Sequence, residues 1–278
     1  TDYISVSALD STHFVVGYRD NGNSGYGTAI IGTISGSTIS YGSEYVFNSA
    51  TTDYISVSAL DSTHFVVGYC DYGNSYYGTA IIGTISGSTI SYGSEYVFNS
   101  ASTYEISVSA LDSTHFVVGY QDYGNSYYGT AIIGTVSGST ISYSSEYVFN
   151  SAATDYISVF ALDSTHFVVG YRDYGNSYYG TAIIGTISGS TISYGSEYVF
   201  NSAATYFISV SALDSTHFVV GYQDNGNSDY GTAIIGTISG STISYSSEYV
   251  FNSASTYYLS ISALDSTHFV VGYQDNGN

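Results

Sequence analysis

The segment ALDSTHFVVGY occurs six times, beginning at Ala8, Ala59, Ala110, Ala161, Ala212 and Ala263, always 51 residues apart. GTAIIGT begins at Gly27, Gly78, Gly129, Gly180 and Gly231, and SEYVFNSA at Ser43, Ser94, Ser145, Ser196 and Ser247. Repeats therefore start near residues 1, 52, 103, 154, 205 and 256, the last being a half repeat, and residues 1–278 read as a single repeat domain. This periodicity constrains the fold more than any other feature. Each unit must bury its apolar surface against another copy of itself.

One unit divides into four strand-like runs: YISVSAL (Tyr3–Leu9), HFVVGY (His13–Tyr18), GTAIIGTI (Gly27–Ile34) and TISYGSEYVF (Thr38–Phe47). Val, Ile, Thr, Tyr and Phe fill them, as a pleated surface prefers. No ten-residue stretch carries a helical period, and no proline interrupts a ladder. DST at Asp10–Thr12 predicts a tight turn in which the Asp side chain bonds the backbone two residues on. SGS at Ser35–Ser37 predicts another, with Gly36 at positive φ. RDNGNSGY and NSATTD are longer, and the second is long enough to cross from one sheet to the next.

Four antiparallel strands in 51 residues predict an all-β chain. The expected fold is a β-propeller of four-stranded antiparallel blades, five or six in number, with a β-solenoid as the alternative. The small residues Ser5, Ser7 and Ala8 place the first strand innermost, where crowding is greatest. Six copies of the first hairpin stand against five of the second. Half a blade is left over, with an unpaired strand edge that another copy of the chain could fill.

ALDSTHFVVGY at Ala8–Tyr18 and SEYVFNS at Ser43–Ser49 resemble a propeller-type repeat of large secreted bacterial proteins, distantly like WD40 blades. Those repeats favour Trp where this chain has Tyr18, and they carry an acidic calcium tract that it lacks. The resemblance spans every copy. It implies a secreted, non-catalytic repeat module, extracellular or at the cell surface.

Acids outnumber bases 22 to 2, and the formal charge is −20. Arg19 and Arg172 are the only bases, so the chain cannot supply the clustered cations that a nucleic-acid backbone requires. Anionic membrane surfaces are disfavoured for the same reason, and no apolar run has membrane-spanning length. The partners left are a second copy of the chain (a homo-oligomer or filament) and neutral glycans. Cys70, the sole cysteine, stands where other copies have Arg or Gln and reads as a tolerated substitution.

No catalytic residue, metal ligand or cofactor site is assigned from the sequence. Asp10, Ser11 and His13 bear the residue types of a hydrolase triad. They lie in one tight turn, however, and recur six times, whereas an enzyme needs one asymmetric pocket. In the loop DNGNSG the third calcium-ligand position is Gly22, so that register fails, and Asp20 reads as a turn cap. Glu44 reads as a solvated outer-strand residue. The chain is accordingly expected not to be an enzyme.

The copies differ mainly at three loop positions. The first reads Arg19, Cys70, Gln121, Arg172, Gln223 and Gln274. The second reads Asn21, Tyr72, Tyr123, Tyr174, Asn225 and Asn276, and the third Gly25, Tyr76, Tyr127, Tyr178 and Asp229. Positions two and three of each repeat vary as well. In a propeller these segments share one face. Neutral drift accounts for the variation, and so does recognition of a ligand or partner. On the second reading the candidate binding residues are Arg19, Asn21, Tyr72, Tyr76, Tyr123, Tyr127, Arg172, Tyr174, Tyr178 and Asp229. The sequence thus leads to an extracellular, self-assembling structural protein, with a multivalent lectin-like propeller as the alternative.

Overall fold

The computed structural model describes residues 1–277. The chain is all-β and built of repeating four-strand units of the β-propeller type. In the first repeat the strands are β1 (Asp2–Ala8), β2 (His13–Asp20), β3 (Tyr26–Ser35) and β4 (Thr38–Tyr41), followed by the 15-residue β5 (Tyr45–Ala59). All pairings within the unit are antiparallel, β1 with β2, β2 with β3, and β3 with both β4 and β5. The three-residue helical turn Asn21–Asn23 is the only helical element of the repeat.

Two expectations about the outer strand are corrected. TISYGSEYVF is not one strand. Tyr41 pairs with Gly32 while Tyr45 pairs with Ala29, so four steps on one strand oppose three on the other. That is a β-bulge, and it turns Glu44 out of the ladder. NSATTD is not a loop either. It lies inside β5, whose first half closes one sheet and whose second half pairs with β6 (His64–Asp71) as the inner strand of the next. Asn48 Oδ1 accepts from Ala50 N at 2.9 Å, and Thr52 Oγ1 donates to Ala50 O at 2.9 Å. These local bonds serve the backbone where it leaves one ladder for the other.

The short turns form as the sequence predicts. Asp10 Oδ1 accepts from Thr12 N at 2.6 Å, and Gly36 has φ 61°. A second bulge lies between β1 and β2, where Asp2 pairs with Arg19 but Ser5 pairs with Gly17. It puts Tyr3 in the left-handed region at φ 50°, and Tyr54, Glu105, Tyr156, Phe207 and Tyr258 recur there in the other repeats.

Ser5 and Ser7 also link one repeat to the next. Their hydroxyls accept hydrogen bonds from Val57 N and Ala59 N of the following repeat, both at 3.0 Å. Adjacent repeats approach through glycine: a Cβ on Gly68 would lie 2.5 Å from Val108 Cγ2. Within a sheet, Gly83 leaves room for the ring of Phe65, which is fully buried.

The chain forms two compact units. Residues 1–125 with 131–146 make the first, and residues 126–130 with 147–278 the second. The first is cored by two apolar clusters around Phe65 and Phe116. The second is cored around Phe218 and Tyr222, with a smaller cluster at Ile261.

Candidate ligand-binding face

The Gly-Asn-Ser loop is held by its aspartate. Asp20 Oδ1 accepts from Gly22 N at 2.9 Å, and Gly25 N donates to Asp20 O at 2.9 Å. Asp71 and Asp173 make the same bond to Gly73 and Gly175. Ser24 then takes φ 58°, and the next residue is left-handed too. In the first repeat that residue is Gly25 at φ 73°. In the others it is Tyr76, Tyr127, Tyr178 and Asp229, at φ 63–66°. The loop meets the strand crossover through Thr52 N to Gly25 O and Thr103 N to Tyr76 O, each 3.0 Å.

The variable positions come together in the second unit around Arg172. Its guanidinium carbon lies 4.7 Å from the ring centre of Tyr206, 4.8 Å from Tyr156, 4.9 Å from Tyr174 and 5.8 Å from Tyr178. Nη2 donates to Asp155 Oδ2 at 2.6 Å and lies 2.8 Å from the Tyr174 hydroxyl, which donates to the same oxygen at 2.7 Å. Nε is buried with no hydrogen-bond partner, so the four rings and Asp155 are what hold the cation. Burial, then the bond to Asp155, pushes the Tyr174 phenol up to about 12.

The first unit arranges its residues differently. Arg19 Nη1 reaches Asp53 of the next repeat, and Asn21 donates to Asp2 at 2.8 Å. Tyr72 and Tyr76 meet edge to face at 4.4 Å, as Tyr174 and Tyr178 do at 4.7 Å. The ring of Tyr123 lies 6.3 Å from that of Tyr104. Tyr127 is exposed in the second unit, where Asp229 accepts from Asn225 at 2.9 Å. Sequence reasoning left Asp53, Tyr104, Asp155, Tyr156 and Tyr206 out of the candidate set. Their signal was the variation between Asp and Tyr at the second position of each repeat and the variable third position beside it.

The His-bearing turns lack a catalytic line. His13 Nδ1 sits 3.0 Å from Asp10 Oδ2, and the hydroxyl at Nδ1 is that of Thr12, which already donates to Asp10. The backbone N–H of Thr12, then its hydroxyl, holds the Asp10 carboxyl down at about 2. Glu44 is exposed as expected, but it also accepts from the Tyr18 hydroxyl at 2.5 Å; Glu95, Glu146, Glu197 and Glu248 serve Tyr69, Tyr120, Tyr171 and Tyr222 in the same way. Burial, then Glu44, pushes the Tyr18 phenol up, so it stays protonated as a donor.

Tyr18, Asp20, Tyr41 and Glu44 line an open cleft of about 470 Å³ with Ile4 and Val16. A second cleft of about 260 Å³ lies between two repeats, with Leu162, Ile184 and Ile238 beside Asp163, His166 and Thr216. Among the described residues, no three His, Cys, Asp or Glu side chains converge as a metal site, and no helix is long and apolar enough to cross a membrane.

No family model and no curated protein sequence matches the chain. Solved structures do share its fold. AofleA from Arthrobotrys oligospora, crystallised as a triple Arg→Ala variant, superposes with a TM-score of 0.61 at 8% identity, over 99% of this chain and 80% of that one. The NanB sialidase of Streptococcus pneumoniae superposes with a TM-score of 0.66 at 10% identity, over 100% of this chain and 66% of that one. A Hadza microbial sialidase gives 0.58 at 10% identity, over 99% and 65%. The chain thus spans about two thirds of each sialidase. At these identities the likeness shows the propeller-type fold and nothing finer. It does overturn the expectation that the chain is not an enzyme, because sialidases carry the same fold.

Proposed function

We propose that the chain is a multivalent carbohydrate-binding propeller whose sites lie on the face of the Gly-Asn-Ser loops. One observation carries the reading. Tyr76, Tyr127 and Tyr178 are 41–47% exposed and held at φ 63–66°, where the first repeat has glycine. A bulky residue at that φ is strained, and strain kept at an exposed aromatic marks a site selected for contact rather than for folding. Tyrosine rings offer rigid apolar faces for sugar stacking with a polar tip for hydroxyls. Repetition turns weak sites into useful avidity. The net charge of −20, with both arginines already bound to aspartates, favours neutral sugars over acidic ones.

Sialidase structures of the same fold support a glycan-facing role. The resemblance to secreted bacterial repeats supports an extracellular or cell-surface location. A glycan array probed with the tagged chain tests the reading: retention on neutral glycans is expected, and an array without a binder refutes it.

Self-assembly into a filament or surface layer is a second reading with its own support. Neighbouring repeats pack through the same glycine contact, Gly17 against Val57 and Gly68 against Val108, so each near-identical unit carries a surface shaped to meet its own likeness. Solution mass across a dilution series tests it: concentration-dependent association is expected, and a sharp monomer throughout refutes it.

A further inference from the structure

The cage around Arg172 has a twin in the second repeat that lacks its cation. Tyr54, Tyr72, Tyr76 and Tyr104 occupy the repeat positions of Tyr156, Tyr174, Tyr178 and Tyr206, and Asp53 that of Asp155. At the position of Arg172 stands Cys70, whose fully buried thiol lies 3.4 Å from Tyr76 O and reaches no further. Each ring pair keeps its spacing. Tyr54 and Tyr104 are 5.7 Å apart, against 5.9 Å for Tyr156 and Tyr206; Tyr72 and Tyr76 are 4.4 Å apart, against 4.7 Å for Tyr174 and Tyr178. The acid is in place too. Asp53 is 4% exposed and lies near enough to the Tyr72 phenol to push it up, as Asp155 does that of Tyr174. Arg19 of the preceding repeat takes Asp53 Oδ1, whereas Arg172 uses Oδ2 of its own aspartate.

We propose that Tyr54, Tyr72, Tyr76 and Tyr104, over the Oδ2 of Asp53, form a binding site for an external guanidinium group, in the place that Arg172 fills from within the chain in the fourth repeat. The chemistry is that of the occupied cage. Ring faces attract a planar, weakly hydrated cation, and the carboxylate fixes its orientation with charge-assisted hydrogen bonds. Tyr72 and Tyr76 are about two fifths exposed, so the mouth is open to solvent. Guanidinium is favoured over ammonium because the internal template is itself a guanidinium, stacked and unbonded at Nε.

The test is calorimetric titration with methylguanidinium, read alongside tyrosine ring shifts by NMR. One site per chain is expected. Cys70→Arg fills the cage from within and should lower affinity at least tenfold, while Cys70→Ala keeps the site. Arg172→Cys copies the second repeat into the fourth and should raise the stoichiometry from one to two. It decides the matter if Cys70→Arg fails to fold. N-acetylarginine amide separates the sources of the group: binding of both probes assigns the site to arginine side chains, and binding of methylguanidinium alone to free guanidinium compounds. Either supports the proposal. It is overturned if neither probe saturates, if a folded Cys70→Arg binds unchanged, or if Arg172→Cys adds no site. Glycan binding is not assumed, so the two readings stand or fall separately.

Discussion

Replacing Tyr76, Tyr127 and Tyr178 by glycine gives each loop the residue that the first repeat already has at Gly25. The three tyrosines sit at φ 63–66°. Left-handed backbone costs a residue with a Cβ about 1–2 kcal/mol, which glycine recovers. Against that, glycine loses about 0.5–1 kcal/mol through the greater freedom of the unfolded chain. The edge-to-face partners at 4.4 Å (Tyr72) and 4.7 Å (Tyr174) are lost as well, at about 0.5–1.5 kcal/mol each. The gain and the losses nearly cancel, leaving each site within about 1 kcal/mol of neutral. Each single variant should therefore melt within about 4 °C of the parent in a thermal scan followed by circular dichroism. Binding should behave differently. With the exposed rings gone, affinity for a neutral glycan identified on the array should fall at least tenfold for the triple variant. Retained binding would refute the assignment of these rings to a ligand. A loss above about 3 kcal/mol in any single variant would refute the strain argument, because the tyrosines would then be structural.

Three further outcomes follow from the packing and the buried groups. Gly134→Ala puts a Cβ 2.1 Å from the ring of Phe116, which has no exposed surface, so it should cost about 1–3 kcal/mol or more. Gly36→Ala meets open space at φ 61° and should cost only about 1 kcal/mol, so equal urea midpoints would contradict the packing. Tyr69, Tyr171 and Tyr222 are buried and donate to glutamates, and burial first, then the glutamates, pushes their phenols up. Their folded-state pKa lies above the unfolded value of about 10, so their stabilisation is present below that pH and is lost as the pH rises beyond it. Phenolate absorbance should climb together with loss of the fold; ionisation of every tyrosine near pH 10 with the fold intact would contradict this. Burial, then Asp53, pushes the Cys70 thiol up to about 12, so a thiol reagent at mildly alkaline pH should label it only after unfolding.

Much of this architecture is readable in one 51-residue unit. Alternating β-branched and aromatic runs set the strands, Asp10 and Gly36 set the tight turns, and the repeat period makes every unit pack on its likeness. The loop residues that vary could be picked out because copies of one chain can be compared with one another. Periodicity could not show the bulge at Glu44 or the continuity of β5, since both depend on how many residues the neighbouring strand offers as a partner. Nor could it show that Arg172 is held inside four tyrosines while Arg19 crosses to Asp53. Both arginines follow the same Gly-Tyr dipeptide, and what separates them is the loop after each, Tyr174 and Tyr178 against Asn21 and Gly25, and the second residue of the next repeat, Tyr206 against Asp53. The linear order fixes which groups exist and how often they recur. The two ion pairs join chain segments 17 and 34 residues apart, and the Arg172 cage draws in Tyr206 from the next repeat, so only the folded sheet decides which tyrosines meet a cation and which face solvent.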